Sequence, residues 1–349
     1  MTRYAPQALI AFAEALYTAA GLDADKSAVA APILVEADLM GHDTHGLQQL
    51  VPYLNELEKG GMRASGEPEI VADHGAVAVW NGNWLNGIWL TANALDTAAE
   101  RARKFGLGAV SIQRSHHIAC LQAYLPRMTE QGLMAIVSCS DPSASSVAPF
   151  GGRDAVFAPD PIAAGIPTGG DPILIDMSSS ITTNGMVNRK AVAGEKLKGK
   201  WMQDADGVAS DDPGLLKADP PGALLLTGGQ DHGQKGYGMA VIVEALTQGL
   251  SGYGRANREK RWGGSVFVQV FDPALFAGLG SYEEQTANLV RLCHASRPIG
   301  DLAAVRLPGE NALRRKRDAL ANGVTLFPGT IEKLAPYAER FSVALPKAL

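Results

Sequence analysis

Apolar positions recur every three or four residues at the start of the chain. Leu9, Phe12 and Leu16 fall on one side of a predicted helix over residues 8–19, and Gly21 follows as its stop. Asp23 stands where a cap would start a second helix running toward Met40. Pro32 within it lacks an amide hydrogen and predicts a kink or a restart. Leu50, Leu54 and Leu57 define the apolar face of a third helix over residues 47–59, ended by Gly60 and Gly61. Residues 76–80 form a short apolar run that meets Asn81-Gly82-Asn83, the pattern of a strand entering a turn. Helical spacing returns over residues 90–103.

The middle of the chain alternates. Residues 107–112 and 133–138 read as strands with a helix between them, 173–176 and 266–271 as further strands, and 236–250 as a strong helix. Helical patterns resume over 282–293, 311–321 and 330–341. Residues 158–229 are rich in Gly, Pro, Ser and Asp, which predicts long loops of the kind that line a site. Helical ends around an α/β middle predict that the two termini pack together while the middle forms a lobe of its own.

Composition narrows the function classes. With 46% hydrophobic and 19% charged residues, the 349-residue chain can bury a sizeable core, which excludes a disordered protein. A net charge of -5 gives no general attraction to nucleic-acid phosphates or an anionic membrane surface. No apolar run has the length of a membrane helix, and no basic-then-apolar leader follows Met1. Cys120, Cys139 and Cys293 are too few and too irregular for a disulfide framework or a zinc knuckle, so a reducing, cytoplasmic setting is expected.

No Gly-x-Gly-x-x-Gly occurs, so a Rossmann dinucleotide fold is unsupported. The run from Gly194 to Lys200 nearly spells a nucleotide-triphosphate loop. Trp201 stands where a Mg²⁺-binding hydroxyl belongs, however, and no apolar strand leads in. The acid/base chemistry is expected among the histidines. His42-Asp-Thr-His-Gly46 sits at a helix-to-helix junction and His116-His117 between a strand and a helix. A lone histidine is usually a cap or a packing group; two clusters at element junctions carry more weight. A catalytic metal needs three or four converging ligands, which this pattern does not supply, so none is expected. Asp176-Met-Ser-Ser-Ser180 offers hydroxyls after a strand. The turn from Asp231 to Gly238 places Lys235 and Gly236 at a predicted helix N-terminus, where amides, helix dipole and ammonium together suit a pyrophosphate.

Six stretches occur in order: Glu36-Ala-Asp-Leu-Met-Gly-His-Asp-Thr-His-Gly46, Ser115-His-His-Ile118, Val147-Ala-Pro-Phe-Gly-Gly152, Asp176-Met-Ser-Ser-Ser180, Lys235-Gly-Tyr-Gly238 and Leu307-Pro-Gly-Glu310. As a set they resemble the malate/L-lactate dehydrogenase-like family, nearest its hydroxycarboxylate dehydrogenase B branch. The resemblance implies an α/β, non-Rossmann NAD(P)-binding fold of the L-sulfolactate dehydrogenase-like type. It implies NAD or NADP as cofactor and a small carboxylate substrate, either a 2-oxo/2-hydroxy acid or a cyclic imino acid. It also implies a homodimer with the active site near the subunit interface. Under it, residues 1–65 carry the catalytic histidine, 66–132 with 297–349 form a substrate and dimer domain, and 133–296 hold the dinucleotide. His45 matches the proton donor, Thr44 replaces the family's serine beside it, and His117 matches a second site histidine. Asp176, Ser178, Ser180, Lys235, Gly236, Pro308, Gly309 and Glu310 fall where the family holds the dinucleotide. A non-catalytic dinucleotide- or metabolite-binding protein is the alternative.

The chain also departs from the family pattern. Gln49, preceded by Gln48, occupies the place of an arginine suited to clamping a carboxylate, and an amide cannot supply that charged fork. The substrate anchor is therefore expected from Arg189 or Arg114, with Gln49 fixing orientation. Ala158-Pro-Asp-Pro161 stands for Gly-Thr-Asn-Pro, Gly185-Met186 for Gly-Lys, and Ala119 for a glycine.

Overall fold

The computed structural model describes residues 2–257, 259 and 261–349. Helix α1 (Pro6–Ala19) starts on a proline, which needs no N–H in a first turn, and packs on α2 (Ala24–Met40). Helix α2 runs through Pro32 as one element rather than restarting, with Ala30, Ala31, Leu34 and Val35 buried along it. Asp23 precedes α2, but its carboxylate pairs with Lys26 at 3.1 Å instead of capping the backbone. A 3₁₀ turn, Leu47–Gln49, leads into α3 (Leu50–Glu58). Strands β1 (Glu69–Asp73) and β2 (Val77–Asn81) precede α4 (Gly87–Phe105), whose first turn is capped by Asn86 accepting the Trp89 N–H at 3.0 Å.

After β3 (Leu107–Ser115) the expected helix shrinks to a 3₁₀ turn, Leu121–Tyr124, and one turn, α5 (Pro126–Thr129). Then follow β4 (Met134–Ser140), β5 (Ile162–Ile166), β6 (Ile173–Met177) and α6 (Asn184–Ala193). Three two-residue strands come next, β7 (Met202–Gln203), β8 (Ala209–Ser210) and β9 (Ala223–Leu224), and then α7 (Gly229–His232) and α8 (Gln234–Glu244). The chain ends with β10 (Gly264–Phe271), α9 (Leu279–Ala295), α10 (Glu310–Asn322) and α11 (Thr330–Arg340). The segment expected as long loops thus contains β5 and α6 besides the predicted β6. Strand β5 is a short apolar run without alternation and α6 lacks an apolar stripe, so neither carries a period that can be read locally.

Seven strands form one sheet in the order β1-β2-β3-β10-β4-β5-β6. Only β2 and β3 run parallel; every other neighbouring pair is antiparallel. A Rossmann sheet is parallel throughout, so this α/β fold is of another kind, in line with the missing glycine fingerprint. Strand β10 sits between β3 and β4 with Val268 opposite both Val110 and Val137, so strands on either side of residue 133 share one sheet. The main core joins the N-terminal helices, this sheet and α11, and the backbone of Tyr4 bonds that of Val324 at 3.0 Å. The two termini therefore pack together around the α/β middle. A second small core gathers Val147, Val187, Leu197, Met202, Leu224, Leu226 and Ala240 around β7, β8 and β9. The near-miss phosphate loop runs from α6 into β7, a helix–loop–strand order opposite to the one a phosphate loop needs. No described helix is long and apolar enough to cross a membrane.

Candidate active site

The loop after α2 is pinned from beneath by Asp38, a buried residue of that helix. Its carboxylate accepts the Leu47 N–H at 2.6 Å, and burial pushes its pKa up to about 7. A Cβ at Gly46 would lie 2.4 Å from the Asp38 carboxyl carbon, so any side chain there must displace that buried carboxylate. Above this anchor, His45 Nδ1 lies 2.8 Å from Thr44 Oγ1. Gln49 donates its amide to the Thr44 carbonyl at 2.7 Å and braces the loop. Gly46→Ala is therefore expected to cost about 1–3 kcal/mol by overpacking and to displace His45. Thermal unfolding and turnover would both fall; an unchanged melting temperature would show that Asp38 yields without cost.

His117 approaches from the end of β3. Its Nδ1 lies 2.6 Å from the Tyr53 hydroxyl on α3 and 3.3 Å from the Ala119 amide nitrogen. A backbone N–H only donates, so Nδ1 is the acceptor and the ring proton resides on Nε2. The His117 and His45 rings stack with centroids 6.0 Å apart, and Trp262 stacks on the other neighbours, 4.9 Å from His117 and 5.5 Å from Tyr53. Among the described residues no hydrogen bond engages Nε2 of either His45 or His117. Burial holds both imidazoles in the neutral form, with His45 lowered to about 4 and His117 well below its ordinary value. His116 points elsewhere. It is buried against Trp262 and Tyr53, both ring nitrogens lack hydrogen-bond partners, and the Glu56 carboxylate stands 3.6 Å off.

Arg189 reaches the same loop from α6. Its two terminal nitrogens contact Asp43 Oδ1 and Gln48 Oε1, each at 2.9 Å, and its guanidinium lies over the Phe327 ring at 3.7 Å. Its Nε is buried without a partner. The charge is close enough to help depress the His45 pKa. Arg114, the other candidate anchor, instead pairs with Glu259 at 3.2 Å over the Tyr253 ring. His42 turns away from His45 to Gln122: Gln122 Nε2 donates to the Leu174 carbonyl, so its Oε1 accepts the His42 Nε2–H at 2.6 Å. Among the described residues no three His, Cys, Asp or Glu side chains gather as a metal site.

The dinucleotide candidates fall into separate contacts. Ser178 and Ser180 bond each other's segment, with Ser178 Oγ on the Ser180 carbonyl at 2.8 Å. Gly236 packs so closely beside them that a Cβ would lie 2.7 Å from the Ser179 carbonyl oxygen and 2.6 Å from the Thr227 nitrogen. Lys235 is exposed and pairs with no carboxylate among the described residues. It does not open the helix, as the sequence suggested: α7 precedes α8 and Gly233 between them is helical, so the helical run begins at Gly229. Asp176 accepts the Gln122 N–H at 2.9 Å, which ties the end of β6 to the His42 network. The Pro308–Gly309 turn docks on β6 through the Leu174 N–H to Pro308 carbonyl bond at 3.1 Å, and Glu310 is engaged by His294. A cavity of about 330 Å³ lies nearby among Phe150, Gly152, Arg153, Asp206, Gly229 and Gln230; neither Lys235 nor the paired histidines line it.

Sequence reasoning passed over Tyr53, Trp262, Asp38 and Gln122. The only local signal was for Asp38, a carboxylate inside a buried helix stripe; the others become visible only through contacts with distant residues.

The malate/L-lactate dehydrogenase family model matches residues 4–335. The L-lactate dehydrogenase of Cupriavidus necator is 29% identical over 322 residues, 90% of this chain and 91% of its own. The (2R)-3-sulfolactate dehydrogenase (NADP⁺) of Chromohalobacter salexigens is 30% identical over 338 residues, 93% of this chain and 95% of its own. The crystal structure of malate dehydrogenase from Entamoeba histolytica shares the fold, with a TM-score of 0.93 at 22% identity over 99% of this chain and 100% of that one. With almost its whole length matched by that model, the chain belongs to the malate/L-lactate dehydrogenase family.

Proposed function

We propose that the protein is an NAD(P)-dependent oxidoreductase that moves a hydride between nicotinamide and a small 2-oxo/2-hydroxy acid or cyclic imino acid. The observation that carries this is the convergence of two neutral imidazoles, His45 and His117, with the Arg189 guanidinium, delivered by three separate elements. The nicotinamide, when bound, supplies or takes the hydride. Lys235, Gly236 and the Ser178–Ser180 segment would hold its diphosphate: the exposed Lys235 ammonium, which pairs with no carboxylate among the described residues, suits an anionic guest, and Gly236, packed on the Ser179 and Thr227 backbone, fixes the segment that carries it. Asp176 and the Pro308–Glu310 turn complete the expected lobe around β6. A homodimer belongs to the same reading.

His45 Nε2 takes the hydroxyl proton as the hydride leaves, and returns it in reduction. His117 donates its Nε2–H to the substrate oxygen or nitrogen, a direction set by Tyr53 and Ala119 on the other face of its ring. Thr44 orients His45, and the Arg189 guanidinium, held on the same loop, would balance the substrate carboxylate.

The pH dependence has a definite sign. A base held down to about 4 stays unprotonated through the neutral range. Oxidative kcat/KM is therefore expected to hold its plateau as pH falls through 6.5 and to drop only toward the lower value. A break at or above 6.5 would contradict the buried-imidazole assignment.

The test is consumption of NADH and of NADPH against pyruvate, oxaloacetate, phenylpyruvate-type acids and cyclic imino acids. Turnover on one of them establishes the reaction and names the cofactor. Dinucleotide binding without turnover on any points to a sensor, and no binding at all sinks the assignment.

A further inference from the structure

Arg189 reaches the loop that carries His45, and it does not act alone. Asp43 Oδ1 holds one terminal nitrogen at 2.9 Å and Gln48 the other at 2.9 Å, while Phe327 stacks beneath the guanidinium at 3.7 Å. Neighbouring cations on α10 are occupied or turned outward: Lys316 binds Glu36 at 2.5 Å, and Arg315 lies exposed against Gly41. The imidazoles add no charge, since both are neutral. The anchor therefore comes with a fixed carboxylate beside it, two residues from His45 in the chain. The Arg189 charge, held on the His45 loop, can balance one substrate carboxylate. A second anionic group in the same cleft would face Asp43, and like charges about 4 Å apart repel by about 1–4 kcal/mol in a partly solvated setting.

We infer that Asp43 is a specificity-determining residue that selects substrates bearing a single carboxylate, namely 2-oxo monocarboxylic acids or cyclic imino acids, over dianionic dicarboxylates and sulfonated acids. The inference rests on the oxidoreductase reading above and narrows its substrate class. Gln49 fits the same picture: where an arginine would add a second positive charge, the chain carries an amide used to brace Thr44.

The experiment compares kcat/KM for pyruvate, 2-oxobutyrate and a cyclic imino carboxylate with that for oxaloacetate and sulfopyruvate, in the wild type and in Asp43→Asn. The wild type is expected to favour the monoanions by about tenfold or more, and Asp43→Asn to narrow that ratio by about tenfold, the size of one like-charge contact. If Asp43→Asn does not fold, competition by oxamate against tartronate on the wild type reads the same preference, with oxamate the tighter. Oxaloacetate used as well as pyruvate, an unchanged ratio in folded Asp43→Asn, or tartronate binding as tightly as oxamate would each overturn the role of Asp43. Silence on every acid, whatever its charge, overturns the oxidoreductase reading itself and this inference with it.

Discussion

His45→Ala is expected to lower kcat by about 10²–10⁴, the usual range for a lost proton-transfer group, while leaving the fold and dinucleotide binding intact. The ring is held by one bond to Thr44 and by stacking 6.0 Å from His117. Its loss removes the proton-transfer group and strands no buried hydrogen-bonding partner comparable to Tyr53, since Thr44 is only half-buried. His117→Ala should also reduce turnover, but it additionally leaves the Tyr53 hydroxyl, buried at the centre of the aromatic group, without its 2.6 Å partner. Some loss of thermal stability should accompany that variant and not the first, since a stranded buried hydroxyl costs about 1–3 kcal/mol. Steady-state kinetics with melting curves on both proteins separates the two. A folded His45→Ala enzyme turning over at more than a tenth of the wild-type rate would remove His45 from the proton path.

The second large effect is expected at Gly236. An added Cβ would meet the Thr227 nitrogen at 2.6 Å, the Ser179 oxygen at 2.7 Å and the Thr227 oxygen at 2.8 Å. All three are backbone atoms, so no side-chain rotation relieves the clash. Gly236→Ala must push the start of α8 away from the Ser178–Ser180 segment. The dinucleotide KM is expected to rise about tenfold or more, with about 1–3 kcal/mol lost by overpacking. Gly238, two residues on in the same helix, has no atom within 4 Å of a built Cβ. Gly238→Ala should be neutral or stabilise by up to about 1 kcal/mol, since alanine is the better helix former. Titration of dinucleotide binding on both variants decides the matter: equal affinity in Gly236→Ala and Gly238→Ala would place the diphosphate elsewhere.

Much of the architecture was legible in the chain because its signals are local. The spacing of Leu9, Phe12 and Leu16 made α1 visible, and the run ending at Phe271 made β10 visible. The missing glycine fingerprint already spoke against a parallel dinucleotide sheet, and the observed strand directions agree. The failures have physical causes. Pro32 did not restart α2, because the buried residues on either side hold one helix across it. Helix α6, Asn184–Ala193, went unread because it buries only Val187 and so has no apolar stripe. Yet α6 carries Arg189, which the sequence offers as an anchor only because Gln49 stands in an arginine's place and not through any pattern of its own. The helical turn at Gly229–His232 moved the start of the helix ahead of Lys235, which glycine-rich spelling alone did not reveal.

Residue order and type thus determined the helices and strands that carry a clear apolar period, that the chain folds around a large core, and that imidazole chemistry is available at two junctions. Tertiary structure decided which groups meet. Tyr53 reaches His117 across 64 residues and Arg189 reaches Asp43 across 146, separations that no local periodicity encodes. It also decided their charge states. An imidazole titrates near its ordinary value in water and is driven neutral here because neighbouring elements strip that water away, and that desolvation belongs to the packed fold and to no single stretch of sequence.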